Sequence, residues 1–313
     1  MQIYTAEQPN QSIFHDGFSL RETAVALGGF DAIHIGHQAI IRNVVAKAKA
    51  EGLSSVVSLF RNLPRNVILG GDTPPVYPLE KRLALLEDLG VDIVIAQWFT
   101  PEYKEILPEV FVEEYLKQRL DARYVAVGFN YHFGKNGAGN RTTLKTLCQP
   151  MGIEVCGIDA VTIDDAIVSS TRIRELLQQG NMIDAARCLG RPFSLTGTVI
   201  AGNRLGRAMG FPTANIACPK TLILPKFGVY FSRVKANGAW YTAICNVGAR
   251  PTVADDTPWI EAHLLDFEGD LYGKEIEIVF CDSLREIQAF ENPEALAKQL
   301  AKDKLCAENY FKQ

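Results

Sequence analysis

Val25-Ala-Leu-Gly-Gly-Phe-Asp-Ala-Ile-His-Ile-Gly-His37 is an apolar run that breaks at two glycines and then presents Asp31, His34 and His37 where a helical pattern begins. Ile40, Ile41, Val44, Val45 and Ala48 fall on one face of that helix. A strand that enters a helix through a Gly-rich turn leaves backbone N–H groups unpaired at the positive end of the helix dipole, a place for phosphate. Two imidazoles three residues apart beside such a turn can donate hydrogen bonds to phosphoryl oxygens as charge develops on them. The turn therefore reads as a site of phosphate chemistry.

The same alternation continues on either side. Val25–Gly28, Ser55–Leu59, Ile93–Ala96 and Tyr124–Val127 are rich in β-branched residues and lack period-2 polarity, as strands buried on both faces do. Amphipathic stretches lie between them, at Gly36–Glu51, Leu79–Leu89 and Glu109–Leu120. Strands alternating with helices predict a parallel sheet with helices on both faces. Two further helices are expected at Ser169–Gln178 and Asn181–Leu189, the second stopped by Gly190-Arg191-Pro192.

Beyond Pro192 the pattern changes to short strands separated by glycine and proline: Leu195–Ala201, Val229–Ala236, Trp240–Asn246, Ile260–Phe267 and Glu275–Phe280. Asn237-Gly238 between two of them signals a hairpin. Pro293–Leu305 is the one substantial helix expected here, so an antiparallel β-barrel closed by a C-terminal helix fits best. The expected domains are residues 1–190, α/β and Rossmann-like, and residues 191–313, all-β.

Composition narrows the function classes. A chain of 313 residues exceeds what one core usually serves. A net charge of −4 argues against a nucleic-acid or anionic-membrane partner, which clustered Lys and Arg would meet. Mean hydropathy of +0.02 and the absence of a long apolar run argue against a membrane span. Seven scattered cysteines without a Cys-x-x-Cys pair read as reduced thiols of a cytoplasmic protein, with no disulfide frame and no zinc site. His132 and His263 have no second ligand at metal spacing and read as packed or surface side chains; His15 carries no signal.

Three more motifs carry chemistry. Ser169-Ser-Thr-Arg-Ile-Arg174 opens a helix with hydroxyls at its cap and arginines in its first turns, where a plain surface helix would carry acids. Hydroxyls, backbone N–H groups and bidentate Arg together hold an anion. Gly128-Phe-Asn-Tyr-His-Phe-Gly134 follows a buried strand, and its Asn130 can reach a ligand at the carboxyl end of the sheet. In the second half, Gly202-Asn-Arg-Leu-Gly206-Arg-Ala-Met-Gly210-Phe-Pro-Thr-Ala-Asn215 spaces three glycines by four, as a flap against a nucleotide would. Thr213 and Asn215 share a face of an extended segment and offer hard oxygens suited to the Mg²⁺ that accompanies ATP. Glu261 lies in an otherwise apolar strand, where a carboxylate either pairs with a base or does acid–base work.

Taken in order, these motifs resemble those of bacterial bifunctional riboflavin kinase/FAD synthetases, and the resemblance covers the whole chain. It implies an N-terminal domain that transfers adenylyl from ATP to FMN, giving FAD and pyrophosphate, and a C-terminal domain that phosphorylates riboflavin to FMN. It assigns ATP phosphates to His34, His37, Ser170, Thr171 and Arg174, with Arg172 beside them, and places Gly28, Phe30, Asp31 and Gly36 around the same turn. Asn130 is then near the reacting phosphates or the flavin. In the kinase it assigns Gly202, Gly206, Arg207, Gly210 and Pro212 to the nucleotide flap, Thr213 and Asn215 to the metal, Glu261 to the general base and Arg285 to the flavin pocket. Phe227–Tyr230, Asn246–Thr252 and Leu264–Gly273 match as scaffold. Riboflavin, FMN and ATP are the implied small-molecule partners.

The chain departs from the family pattern at four positions. Ala32 stands for a glycine, Gly137 for an arginine, and Arg61 and Leu63 for an acid and a histidine after the second buried strand. Two other readings follow: a kinase whose first domain is impaired by Arg61 and Leu63, and a flavin- or nucleotide-binding regulatory protein without turnover.

Overall fold

The computed structural model describes residues 1–9, 19–201, 211–217, 221–249 and 258–312, which fall into two compact units, residues 1–170 and 171–313. In the first unit, β1 (Gln2–Thr5), β2 (Thr23–Leu27), β3 (Ser54–Phe60), β4 (Ile93–Gln97), β5 (Ala122–Gly128) and β6 (Glu154–Ile158) form one sheet in the order β1-β4-β3-β2-β5-β6. Every pairing in it is parallel. The helices include α1 (Ile35–Glu51), α2 (Pro64–Leu69), α3 (Leu79–Asp88) and α4 (Arg141–Cys148).

All five residues of β2 are buried, and successive ones enter different cores. Val25 and Leu27 join Ile95, Leu116 and Val125 on one face of the sheet, while Ala24 and Ala26 join Ile41, Val44 and Val94 on the other. Two covered faces leave no solvent-facing position along the strand, which explains the missing alternation. The chain runs from β2 outward to β3 and β4, then returns to lay β5 on the opposite flank of β2. Ligands of open α/β sheets bind at such a reversal, outside the carboxyl ends of the strands.

One expected α-helix differs. Residues Phe111–Arg119 form a π-helix, entered from Pro108–Val110. With i→i+5 bonding, side chains four apart come almost above one another, and the rings of Phe111 and Tyr115 stack at 5.1 Å.

In the second unit α5 (Ser170–Gln179) and α6 (Met182–Leu189) precede a closed antiparallel barrel. Gly190, with φ of 73°, caps α6 through its N–H to Ala186 O, the expected stop. The barrel strands are β7 (Phe193–Ile200), β8 (Ala214–Ala217), β9 (Gly228–Ala236), β10 (Ala239–Ala249), β11 (Pro258–Leu264) and β12 (Glu275–Arg285). They close in the order β7-β8-β11-β10-β9-β12. Asn237 (φ 50°) and Gly238 (φ 80°) form the two-residue turn joining β9 to β10, as Asn-Gly requires. Phe193, Tyr230 and Phe280 fill the interior, with Phe280 in contact with both of the others. α7 (Pro293–Tyr310), capped by Asn292, covers the outer face through Ala307, which packs with Val229, Ile244 and Leu265.

Candidate active sites

At the carboxyl ends of β2 and β5 a cavity of about 870 Å³ is lined by Gly28, Gly29, Phe30, His37, Gly128 and Asn130 together with an aromatic wall. The turn above it is held in an uncommon backbone shape. Phe30 and Ile33 both have positive φ, 44° and 45°. Such conformations persist only where the surroundings over-determine them. Here the buried Gln38 carboxamide donates to Ile33 O at 2.9 Å, and the buried Asp31 carboxylate accepts the Val76 N–H at 3.1 and 3.2 Å. Asp31 thus fastens the turn to a neighbouring segment. Ala32 lies fully buried between the two strained residues, so its methyl group does not enter the cavity.

His34 caps α1, its Nδ1 accepting the His37 N–H at 3.2 Å. An accepting Nδ1 puts the proton of the neutral ring on Nε2, which is then a donor. The two imidazoles stack with centroids 3.6 Å apart, and Phe30 meets His37 edge-on at 5.2 Å. Gly36 permits this stack, because a Cβ there would lie 3.2 Å from the His34 ring.

The aromatic wall is made by Phe60, Phe99, Tyr103, Tyr131 and Phe133. Phe60 meets Phe99 and Tyr103 at right angles, each at 5.2 Å. Burial raises the Tyr103 and Tyr131 hydroxyls above their ordinary range, so the wall is uncharged at neutral pH.

Arg61 and Leu63 do not line this cavity. The Arg61 guanidinium turns to the edge strand, with Nη1 donating to Thr5 Oγ1 and Ala6 O at 2.7 Å each, and lies 5.2 Å from the centre of the Trp98 ring. The loop they occupy is tied instead by a residue that the motifs do not nominate. Arg82 of α3 is 2% exposed and donates to Phe60 O at 2.8 Å and Arg61 O at 3.0 Å. Burial lowers its pKa from the ordinary guanidinium value, and the Asp31 charge opposes that shift.

Ser170, Thr171, Arg172 and Arg174 occupy the first turns of α5, with Arg174 buried and Thr171 exposed. Gly202, Gly206, Arg207 and Gly210 lie outside the described residues, as do Arg250, Pro251 and Thr252 of the scaffold motif and His15.

The barrel holds a second polar cluster on its outer face. Asn215 of β8 is the register partner of Glu261 of β11, and Glu261 is in turn the partner of Asn246 of β10. Residues directly opposite in an antiparallel pair share a face. Asn215 is 5% exposed and Glu261 is half-buried. The Trp259 indole Nε1, also buried, lies 3.1 Å from both Asn215 Oδ1 and Glu261 Oε1. No basic side chain pairs with Glu261 among the described residues. Thr213 precedes β8 and is half-buried; the adjacent Pro212 O is bonded by His263 Nδ1 at 2.8 Å. Thr213 and Asn215 supply a hydroxyl and an amide oxygen, a donor set that fits Mg²⁺. No cluster of three or more His, Cys, Asp or Glu suited to a metal occurs among the described residues.

Trp259 is a second residue that the motifs overlook, although its spacing of two from Glu261 puts both on one strand face. Arg285 has a structural partner: Nε and Nη2 bond the Asp303 carboxylate at 2.7–3.1 Å, and Nη1 bonds Glu286 O. Asp303 is 2% exposed, so this ion pair anchors α7 to β12.

The FAD synthetase family model matches residues 18–172, and the riboflavin kinase model matches residues 189–311. The chain is 36% identical over 290 residues to the bifunctional riboflavin kinase/FMN adenylyltransferase of Listeria monocytogenes, covering 92% of each. It is 34% identical over 294 residues to the protein of that name from Haemophilus influenzae, covering 93% of this chain and 95% of the relative. Among solved structures, one described as a macrolide-efflux protein from Streptococcus pneumoniae superposes with a TM-score of 0.88 at 27% identity, over 99% of both chains. That description belongs to the other protein; no helix of the described residues here is long and apolar enough to cross a membrane.

Proposed function

This chain belongs to the bifunctional riboflavin kinase/FMN adenylyltransferase family, and we propose how its residues divide the two reactions. It phosphorylates riboflavin to FMN and adenylylates FMN to FAD, both from ATP. The functional boundary proposed is at residue 190, with adenylyl transfer before it and the kinase after it.

In the kinase, Glu261 takes the proton of the ribityl 5′-hydroxyl, because a neutral primary alcohol is a poor nucleophile. The freed oxygen pair attacks the γ-phosphorus of ATP, the bond to the β-phosphate oxygen breaks, and ADP leaves. Thr213 and Asn215 are the residues that would hold Mg²⁺, whose charge would offset that of the phosphates. Gly202, Gly206, Arg207, Gly210 and Pro212 remain the proposed nucleotide flap. The observation that carries this reading is the Asn215–Glu261 register pair, which sets a hard oxygen ligand and a carboxylate side by side.

In the adenylyltransferase, a phosphate oxygen of FMN attacks the α-phosphorus of ATP and pyrophosphate leaves. FMN is already an anionic nucleophile, so positioning and charge stabilisation suffice. His34, through Nε2–H, and His37 donate to the phosphates at the Gly28–Gly36 turn. Ser170, Thr171, Arg172 and Arg174 are kept as the candidates for ATP phosphates that the sequence nominates. A flat flavin ring suits the uncharged aromatic wall of Phe60, Phe99 and Tyr103, with Asn130 at its polar edge. We assign Arg285 to the frame of the kinase domain through Asp303.

Separating the activities tests this division. Glu261→Gln should abolish FMN formation from riboflavin while added FMN is still converted to FAD. Unchanged riboflavin turnover in that variant would remove the proposed base.

A further inference from the structure

An indole N–H can donate a hydrogen bond and can accept none. The single Nε1 hydrogen of Trp259 is shared between Asn215 Oδ1 and Glu261 Oε1, each 3.1 Å away. We propose that Trp259 is a positioning residue of the kinase site, fixing that Asn215 presents its amide oxygen, not its NH₂ group, to the cation and which oxygen of Glu261 remains to take the substrate proton. The inference rests on the kinase roles proposed above for those two residues.

The amide comes first. The two ends of an Asn side chain are nearly equal in size, so shape alone does not choose between them. With the amide reversed, its NH₂ group would face the indole N–H, two donors opposed in a place where both side chains are at least nine-tenths buried. Trp259 therefore keeps Oδ1, the metal-competent end, toward Glu261. A carbonyl oxygen has two lone pairs, so accepting from the indole leaves one for a cation.

The carboxylate follows by the same logic. Oε1 of Glu261 is engaged by the indole, whereas Oε2 has no hydrogen-bond partner among the described residues. A glutamate has several rotatable bonds, and ordering it in a half-buried strand costs conformational entropy at the moment of reaction unless a neighbour has ordered it beforehand. The buried ring of Trp259, two residues earlier on the same strand, is such a neighbour.

Two variants test this. Trp259→Phe removes the N–H and shrinks the ring; benzothienylalanine at position 259 keeps the ring and replaces the N–H with sulfur. Steady-state kinetics of FMN formation are measured in each, and ADP binding is titrated calorimetrically over a series of Mg²⁺ concentrations, a readout that needs no turnover. We expect both variants to lose about 10-fold or more in kcat, the scale of one hydrogen bond to a charged group, with the riboflavin KM within about twofold. Half-maximal ADP binding should need several-fold more Mg²⁺, while FAD formation from added FMN is unchanged. A benzothienylalanine enzyme with wild-type kcat and wild-type Mg²⁺ dependence would overturn the proposal, even if Trp259→Phe were impaired, because ring packing alone would then explain the residue. Glu261→Gln, run in parallel, separates the two failures: if it turns over riboflavin normally, the base assignment itself falls.

Discussion

The imidazole of His34 serves His37 twice, accepting its backbone N–H at 3.2 Å and stacking on its ring at 3.6 Å. One side chain thus caps α1 and orients the second imidazole of the phosphate turn. The two roles separate by substitution. His34→Ala loses the cap and should destabilise the first unit by about 1 kcal/mol. His34→Asn restores a cap acceptor, so its unfolding midpoint should return toward wild type while FAD formation stays depressed by roughly 100-fold. Full recovery of FAD formation in the Asn variant would show that the ring does nothing beyond capping.

Arg61 and Arg82 make a contrasting pair on one loop. Arg61, the departure from the family acid, faces the edge strand and Trp98 and is absent from the cavity lining. Arg61→Ala should leave adenylyl transfer within about twofold and cost no more than ~1 kcal/mol. Arg82→Met leaves the Phe60 and Arg61 carbonyls without their buried donors, a loss on the order of 3 kcal/mol in stability. Because Phe60 belongs to the aromatic wall, the KM for FMN should rise as well. Denaturant melts and FMN titration kinetics read both effects.

Asp303 and Arg285 form the buried ion pair between α7 and β12. Removing one partner strands the other, so Asp303→Ala should cost about 3–5 kcal/mol in the second unit. Activity in the first domain should survive at temperatures where the kinase is lost. Equal thermal stability of wild type and variant would contradict the anchoring role.

Burial lowers the pKa of His263 below the ordinary histidine value. A histidine whose folded pKa lies below its unfolded one binds fewer protons when folded, so stability rises with pH across that window. As pH falls through about 6.5 toward the lowered folded value, the unfolded chain takes up the proton and the fold is weakened. Melting temperature should therefore drop below pH 6.5, and His263→Gln should flatten that part of the curve. A wild-type profile already flat from pH 7 to 5.5 would refute the shift.

What could be read from residues alone follows physical lines. β2, the glycine turn and α1 were legible because an apolar run, two glycines and a 3.6-residue pattern lie within one short segment. The Asn237-Gly238 hairpin was equally plain. β1 and β6 were missed: as outer strands of the sheet they carry exposed or half-buried residues and show no continuous apolar run. β8 was hidden inside the Pro-Thr-x-Asn motif, whose chemistry drew attention from its conformation. The charges of Arg82 and Asp303 resemble the solvated faces of amphipathic helices, and only the packing of α3 and α7 reveals them as buried. Trp259 reaches Glu261 along its own strand, a spacing visible in the sequence, but it reaches Asn215 only through the pairing of β8 with β11, a relation that linear spacing does not encode.

The most direct test follows riboflavin, FMN and FAD by chromatography in one time course for wild type, Glu261→Gln and His37→Ala. Independent machinery in the two halves predicts that Glu261→Gln makes FAD only when FMN is supplied, whereas His37→Ala accumulates FMN and forms little FAD. Failure of Glu261→Gln to make FAD from added FMN, or failure of His37→Ala to make FMN from riboflavin, with the fold intact, would contradict that independence.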